Sequence, residues 1–349
     1  MRTEIIDLKN DYFKKDKLIF AAEIIKKGGL VVFPTETVYG LGADATSSNA
    51  AKKIYEAKGR PSDNPLIIHI SEPNDASQYA YTNELFFKLS EKFMPGPLTV
   101  ILKSKEIIPK ETRGGLETVA VRCPAHPIAN ELIKLSGVPI AAPSANLSGS
   151  PSPTLCKHVI EDLSGKVDVI IDGGDCDFGL ESTIVSLVDE NKPVLLRPGK
   201  ITPREIIQVT GTLEIADAVT DKLKDNEKAL SPGMKDRHYA PRAELVLING
   251  TDTTKCVEYI LKEDLKNIAI ISYNENIEYL KEKIPYAKFY DFGEKADEET
   301  QAHNLFSILR DIDKLDFEKI FAPLPSKEGI GLALYNRMIR AAAHKIIEL

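Results

Sequence analysis

Short apolar runs recur along the first part of the chain, and many are separated by stretches with helical spacing of apolar positions. The pattern predicts strands over 30–33, 66–70, 97–103, 118–122, 138–142, 167–171, 182–188 and 194–197. It predicts helices over 16–28, 48–57, 83–93, 127–136, 154–163 and 203–209, with Gly28 as the stop of the first. Strands outnumber helices and some are consecutive, so a mixed sheet is expected rather than a purely parallel one. The pattern breaks over 211–243, where polar and charged residues dominate. From Glu244 it becomes regular: strand 244–248, helix 252–263, strand 267–272, helix 275–283, strand 287–291, helix 297–312, strand 318–322, helix 331–347. That alternation predicts a small three-layer α/β domain on a parallel sheet. The expected organisation is a first domain over 1–210, a linker over 211–243 and a second domain over 244–349.

Composition narrows the class. A length of 349 residues suits two domains, and 43% hydrophobic content suits a well-filled core. No apolar run approaches the roughly 18 residues that a membrane span needs. The first residues, MRTEIIDLKNDYFKKDK, lack the apolar segment of a secretory signal. Cys123, Cys156, Cys176 and Cys256 form no CxxC pair, which fits a reducing cytosol better than a disulfide scaffold or zinc ribbon. The net charge of −7 disfavours a dedicated nucleic-acid binder.

Common catalytic signatures are absent: there is no GxxxxGK[ST], HExxH or GxSxG. Gly329-Ile330-Gly331 fails a dinucleotide fingerprint at its third glycine and reads as close helix–sheet packing. The chemistry concentrates at strand and helix ends. Thr35, Thr37 and Tyr39 follow the first strand. Lys58 and Arg60 follow the helix after it, in a loop stiffened by Pro61 and Asn64-Pro65. Such cations complement a helix C-terminal dipole; a preorganised Lys/Arg pair also suits a phosphate. Arg122 leaves an apolar strand and requires an anionic partner, either an internal carboxylate or a substrate carboxylate or phosphate. Small residues over 141–149 let a ligand approach the backbone, with Ser144 and Asn146 as polar tips. Ser150–Thr154 then opens a helix that could receive an anion or simply cap itself. His69 ends a strand, and His126 reads as structural. The segment SPGMKDRHYAP (231–241) is either a packed linker or a lid.

Nine segments in series resemble the YrdC-type threonylcarbamoyl-AMP synthases in their longer, two-domain form. They are FPTETVYGLG (33–42), AKGRPSDNPLIIHI (57–70), PGPLT (95–99), TVAVRCPAHP (118–127), PIAAPSANLSG (139–149), ESTIV (181–185), LLRPG (195–199), SPGMKDRHYAP (231–241) and GIGLALYNRMIRAA (329–342). The resemblance implies a twisted, mixed-sheet α/β catalytic domain followed by a smaller Rossmann-like domain. It implies that L-threonine, bicarbonate or CO2, and ATP give threonylcarbamoyl-AMP and pyrophosphate. A separate transferase would then modify an adenosine beside the anticodon of tRNA, and direct tRNA contact would be weak.

On this resemblance, ATP is expected at Lys58, Arg60, Asn64, Thr118, Ser144, Asn146, Ser152, Arg197 and Tyr239, with Lys58 and Arg60 stabilising developing charge. Threonine is expected at Thr35, Thr37, His69, Arg122, Ala142 and Ser182. Mg²⁺ is expected on the ATP phosphates rather than on protein side chains, no covalent nucleophile is needed, and the setting is cytoplasmic. Two rival readings remain at this stage. One is a non-catalytic RNA-binding module. The other is a carbamoyl-adenylate enzyme of hydrogenase maturation, which should carry CxxC zinc fingers and an acylphosphatase-like module.

Overall fold

A computed structural model describes residues 2–9, 14–221 and 239–349. Its described residues fall into two compact units. The first holds those up to 148 and 152–221; the second holds 149–151 and 239–349. The residues 222–238, including most of the SPGMKDRHYAP segment, lie outside the description.

The first unit is built on β1 (Glu4–Asp7), β2 (Val31–Phe33), β3 (Gly40–Asp44), β4 (Ile67–His69), β5 (Ala80–Tyr81), β6 (Leu98–Ser104), β7 (Thr118–Arg122), β8 (Ile140–Ala141), β9 (Val169–Asp172), β10 (Thr183–Ser186), β11 (Val194–Arg197) and β12 (Glu214–Ile215). They form a mixed sheet in the order β1-β9-β2-β3-β8-β4-β7-β6-β10-β11-β12, with β5 paired to β6. Its helices are α1 (Lys15–Lys26), α2 (Ser48–Lys58), α3 (Ala76–Tyr79), α4 (Glu84–Phe93), α5 (Pro127–Ser136), α6 (Cys156–Leu163) and α7 (Pro203–Thr210). One core lies where Leu18, Ala22 and Ile25 of α1 meet Ile128, Leu132 and Ile133 of α5 over Val31, Phe33, Ile140 and Val169. Burying each large aliphatic side chain contributes about 1.5–3 kcal/mol.

β3 has no strand signature in the sequence. Gly-Leu-Gly-Ala-Asp is poor in β-formers, yet it pairs antiparallel with both β2 and β8. The glycines permit this. A Cβ on Gly42 would sit 2.6 Å from the Phe33 ring and 2.7 Å from the Ile140 side chain. Expected helix 154–163 begins only at Cys156, and expected helix 16–28 ends at Lys26, with Gly28 at φ +72° just beyond.

The second unit carries β13 (Glu244–Asn249), β14 (Ile268–Ser272), β15 (Lys288–Asp291), β16 (Lys319–Pro323) and β17 (Ile346–Glu348), all parallel, in the order β15-β14-β16-β13-β17. Helices α8 (Thr253–Lys262), α9 (Asn274–Lys283), α10 (Glu298–Asp313) and α11 (Gly331–Ala341) connect them. Its core gathers Val246, Val257, Ile260, Ile268, Ile270, Leu280 and Phe321. The parallel α/β alternation matches the sequence pattern except at the end. The helix expected over 331–347 stops at Ala341, because Ala343 and His344 take positive φ values of 48° and 63°. The chain then enters β17, which pairs with β13.

Candidate active site

The site is assembled from strand ends and the loops that leave them. Register places His69 of β4 opposite Arg122 of β7, and Arg122 opposite Thr99 of β6. These three side chains therefore form one row across adjacent strands, all buried. Thr99 Oγ1 lies 2.8 Å from Ser182 Oγ, just before β10. Arg197, the last residue of β11, reaches back to the same point: Nε donates to the Ser182 carbonyl at 3.0 Å and Nη2 to Ser182 Oγ at 3.2 Å.

The loop after β2 closes over this row. Thr35 Oγ1 donates to the Val38 carbonyl at 2.6 Å and accepts from the Thr37 and Val38 amides. Arg122 Nη2 donates to Thr37 Oγ1 at 2.9 Å and to Glu36 Oε1 at 2.7 Å. Arg122 Nε is buried without a hydrogen-bond partner. An internal carboxylate thus does pair with Arg122, and the guanidinium keeps an unmet donor.

Burial, then the Arg122 charge, lowers the His69 pKa to about 3. The imidazole is therefore neutral at physiological pH, and Nδ1 faces the Ile140 carbonyl at 3.3 Å. His126 caps α5 by accepting from the Ile128 amide at 3.2 Å, the structural role its Pro-flanked position implies. Burial pushes the Cys123 and Cys156 thiols up to about 12, so neither is a thiolate nucleophile at neutral pH.

A second group centres on Lys58. Ser47 caps α2 and Gly59, at φ +62°, ends it, so the chain reverses just after Lys58. The Lys58 ammonium is buried. It donates to the Ser144 carbonyl, to the Asn146 carbonyl at 2.6 Å and to Asn146 Oδ1 at 3.2 Å. Ser144 Oγ donates in turn to Asn146 Oδ1 at 2.5 Å. Arg60 Nη2 points to the Asn64 and Pro65 carbonyls at 3.4 and 3.2 Å, and Asn64 Oδ1 is buried without a partner. The acceptors named here are neutral oxygens. An antiparallel bridge between Gly40 and Ser144 joins this loop to β3, and Ala142 beside it donates to the Ile67 carbonyl.

The remaining expected residues are more dispersed. Ser152 Oγ donates to Glu181 Oε1 at 2.5 Å. Thr118 is half-buried at the opposite end of β7 from Arg122. Tyr239 belongs to the second unit, where it stacks on Phe306 at 5.1 Å and lies under the Arg337 guanidinium. The lid assigned to 231–241 lies outside the described residues up to 238. Sequence reasoning did not single out Glu36 or Thr99, and it met Glu181 only within the segment ESTIV (181–185). The only signal for Glu36 was the requirement of Arg122 for a carboxylate. Among the described residues, no group of three or more His, Cys, Asp or Glu is placed to hold a metal ion.

Fold and site together define an α/β enzyme that handles small anionic substrates with buried cations and hydroxyls. Comparison with known proteins makes the class specific. The "Telomere recombination" family model, which spans Sua5, YciO and YrdC, matches residues 23–199. The model for "Threonylcarbamoyl-AMP synthase, C-terminal domain" matches residues 201–343. The chain is 45% identical to a threonylcarbamoyl-AMP synthase of Pyrococcus abyssi, over 95% of this chain and 96% of the relative. It is 41% identical to one of Bacillus subtilis, over 98% of each. The crystal structure of P. abyssi Sua5 complexed with L-threonine aligns with a TM-score of 0.89 and 43% identity, covering 99% of this chain and all of that one. The chain belongs to the two-domain Sua5 branch of this synthase family.

Proposed function

We infer that the chain makes threonylcarbamoyl-AMP from L-threonine, bicarbonate or CO2, and ATP, releasing pyrophosphate. The observation that carries the reading is the buried row His69–Arg122–Thr99, closed by Thr37 and Ser182. It offers one guanidinium for a carboxylate and hydroxyls for a hydroxyl. Thr35 and Ala142 complete the threonine side. Lys58, Arg60, Asn64, Ser144, Asn146, Ser152 and Arg197 form the ATP side, with Thr118 added by motif position.

In the first step the threonine amine attacks the carbon of CO2. A C–N bond forms, the amine loses a proton to solvent, and a carbamate results. In the second step a carbamate oxygen attacks the α-phosphorus of ATP. A P–O bond forms, the bond to the β-phosphate breaks, and pyrophosphate leaves. The chain supplies positioning and charge stabilisation rather than a nucleophile. Lys58 and Arg60 oppose the negative charge that grows on the phosphates. Mg²⁺ bound to ATP would neutralise phosphate oxygens. The product then passes to a transferase that modifies adenosine beside the anticodon of tRNA. The four cysteines, all free, suit a cytoplasmic setting.

The test is incubation with ATP, Mg²⁺, bicarbonate and labelled threonine, followed by chromatography. Labelled adenylate and pyrophosphate are expected only when threonine and bicarbonate are both present. Equal ATP cleavage without threonine refutes the reading.

A further inference from the structure

We propose that Glu36 is a positioning residue that sets the affinity for threonine by orienting Arg122; this rests on the reading of Arg122 as the carboxylate site. Glu36 sits between Thr35 and Thr37, in the loop joining β2 to β3. The loop is clamped from the other side, where Phe178 and Gly179 amides donate to the Glu36 and Thr37 carbonyls at 2.9 and 3.2 Å. Its carboxylate is therefore held in place by backbone on one side and by the segment after β7 on the other. Oε1 accepts from Arg122 Nη2 at 2.7 Å, and Oε2 accepts from the Ala125 amide at 3.2 Å.

The stoichiometry of the guanidinium gives the argument its force. Nη2 carries two hydrogens, and Glu36 and Thr37 take one each. That fixes the plane of the guanidinium. It also leaves Nε buried and without a hydrogen-bond partner among the described residues, a donor the protein itself does not use. Without Glu36 the guanidinium is free to rotate and to offer a different edge. Glu36 also compensates part of the Arg122 charge beside neutral His69. The buried row then tolerates an arginine before substrate arrives. Glu36 does not need to touch the substrate for any of this.

The experiment compares Glu36→Gln and Glu36→Ala with the parent full-length chain, by initial rates against threonine and against ATP. Glu36→Ala should raise KM for threonine at least tenfold and leave KM for ATP within twofold, with kcat at saturating threonine largely kept. Glu36→Gln keeps one acceptor oxygen for Nη2 and should recover part of the loss. Combined with Arg122→Lys, Glu36→Ala should add little further loss. Unchanged threonine KM, equal rises for both substrates, additive losses, or tighter threonine binding would each overturn the proposal. The last would mean that Glu36 competes with substrate for Arg122. If Arg122→Ala itself leaves threonine KM unchanged, the underlying reading of Arg122 fails instead. Thermal melts of each variant check that the fold is retained.

Discussion

Lys58→Met separates the structural from the electrostatic share of the most buried cation at the site. Methionine keeps an unbranched apolar stem, one heavy atom shorter than the lysine side chain, and has no donor. In the parent, the Lys58 ammonium serves the Ser144 carbonyl, the Asn146 carbonyl and Asn146 Oδ1. Those acceptors lie in one turn, so Lys58 ties the end of α2 to the loop after β8. Leaving a buried acceptor unmet costs about 1–3 kcal/mol, and these losses are not additive within one turn. Removing a buried charge returns part of that cost. The net destabilisation expected from these terms is about 2–4 kcal/mol. For a unit of this size, at ~2–4 °C per kcal/mol, that corresponds to roughly 5–15 °C in melting temperature. Circular dichroism melts of parent and variant, with and without ATP, provide the measurement. The parent should gain stability from ATP, and the variant should gain much less. A variant melting within about 2 °C of the parent would refute the claim that these hydrogen bonds hold the loop.

Four further outcomes follow from the geometry. Gly42→Ala should destabilise the first unit by about 1–3 kcal/mol, since its Cβ would meet both Phe33 and Ile140; urea unfolding measures this. His69 is neutral in the folded chain, with its pKa lowered from 6.5 to about 3, so the unfolded chain takes up the proton first as pH falls. The stability tied to His69 is complete above about pH 6.5 and is lost toward pH 3, at about 1.4 kcal/mol per unit. Unfolding at pH 7 and pH 5 should therefore differ by about 2 kcal/mol less in His69→Gln than in the parent. Arg122→Ala should raise KM for threonine far more than KM for ATP in steady-state assays, and equal rises would count against its assignment. Serine should be a poorer substrate than threonine by roughly 1–3 kcal/mol in kcat/KM, if the missing methyl is one the site buries.

What the sequence revealed depended on whether a residue acts through a pattern or through a partner. Strands such as Thr118–Arg122 and Val194–Arg197 announce themselves by apolar, β-branched runs. Their terminal arginines were therefore visible as candidates. Lys58 and Arg60 were visible because Gly59 and Pro61 mark a built loop. β3 was not legible, because its glycines serve close packing against Phe33 and Ile140 rather than strand propensity. β17 was hidden because AAAHKIIEL continues a helical pattern until two residues adopt left-handed backbone conformations. Glu36 escaped notice, and Glu181 was visible only as part of a short motif, for a different reason. A single carboxylate has no periodicity, and its role exists only once Arg122 or Ser152 is brought beside it.

The pairing of β1 with β9 has a consequence for how the chain is made. Glu4 to Asp7 align in parallel with Val169 to Asp172, and β2 pairs with the other edge of β9. β1 cannot find its neighbour, and β2 cannot complete its second edge, until residues near 170 have been synthesised. At typical elongation rates this leaves the first strand waiting on the order of ten seconds or more on the ribosome. Contacts so distant in sequence also slow refolding, because loop closure must precede any gain from the sheet. During that interval Val31–Phe33 is an apolar strand paired on one edge only, with β3. Nascent chains of this protein should therefore depend on holding chaperones until β9 emerges.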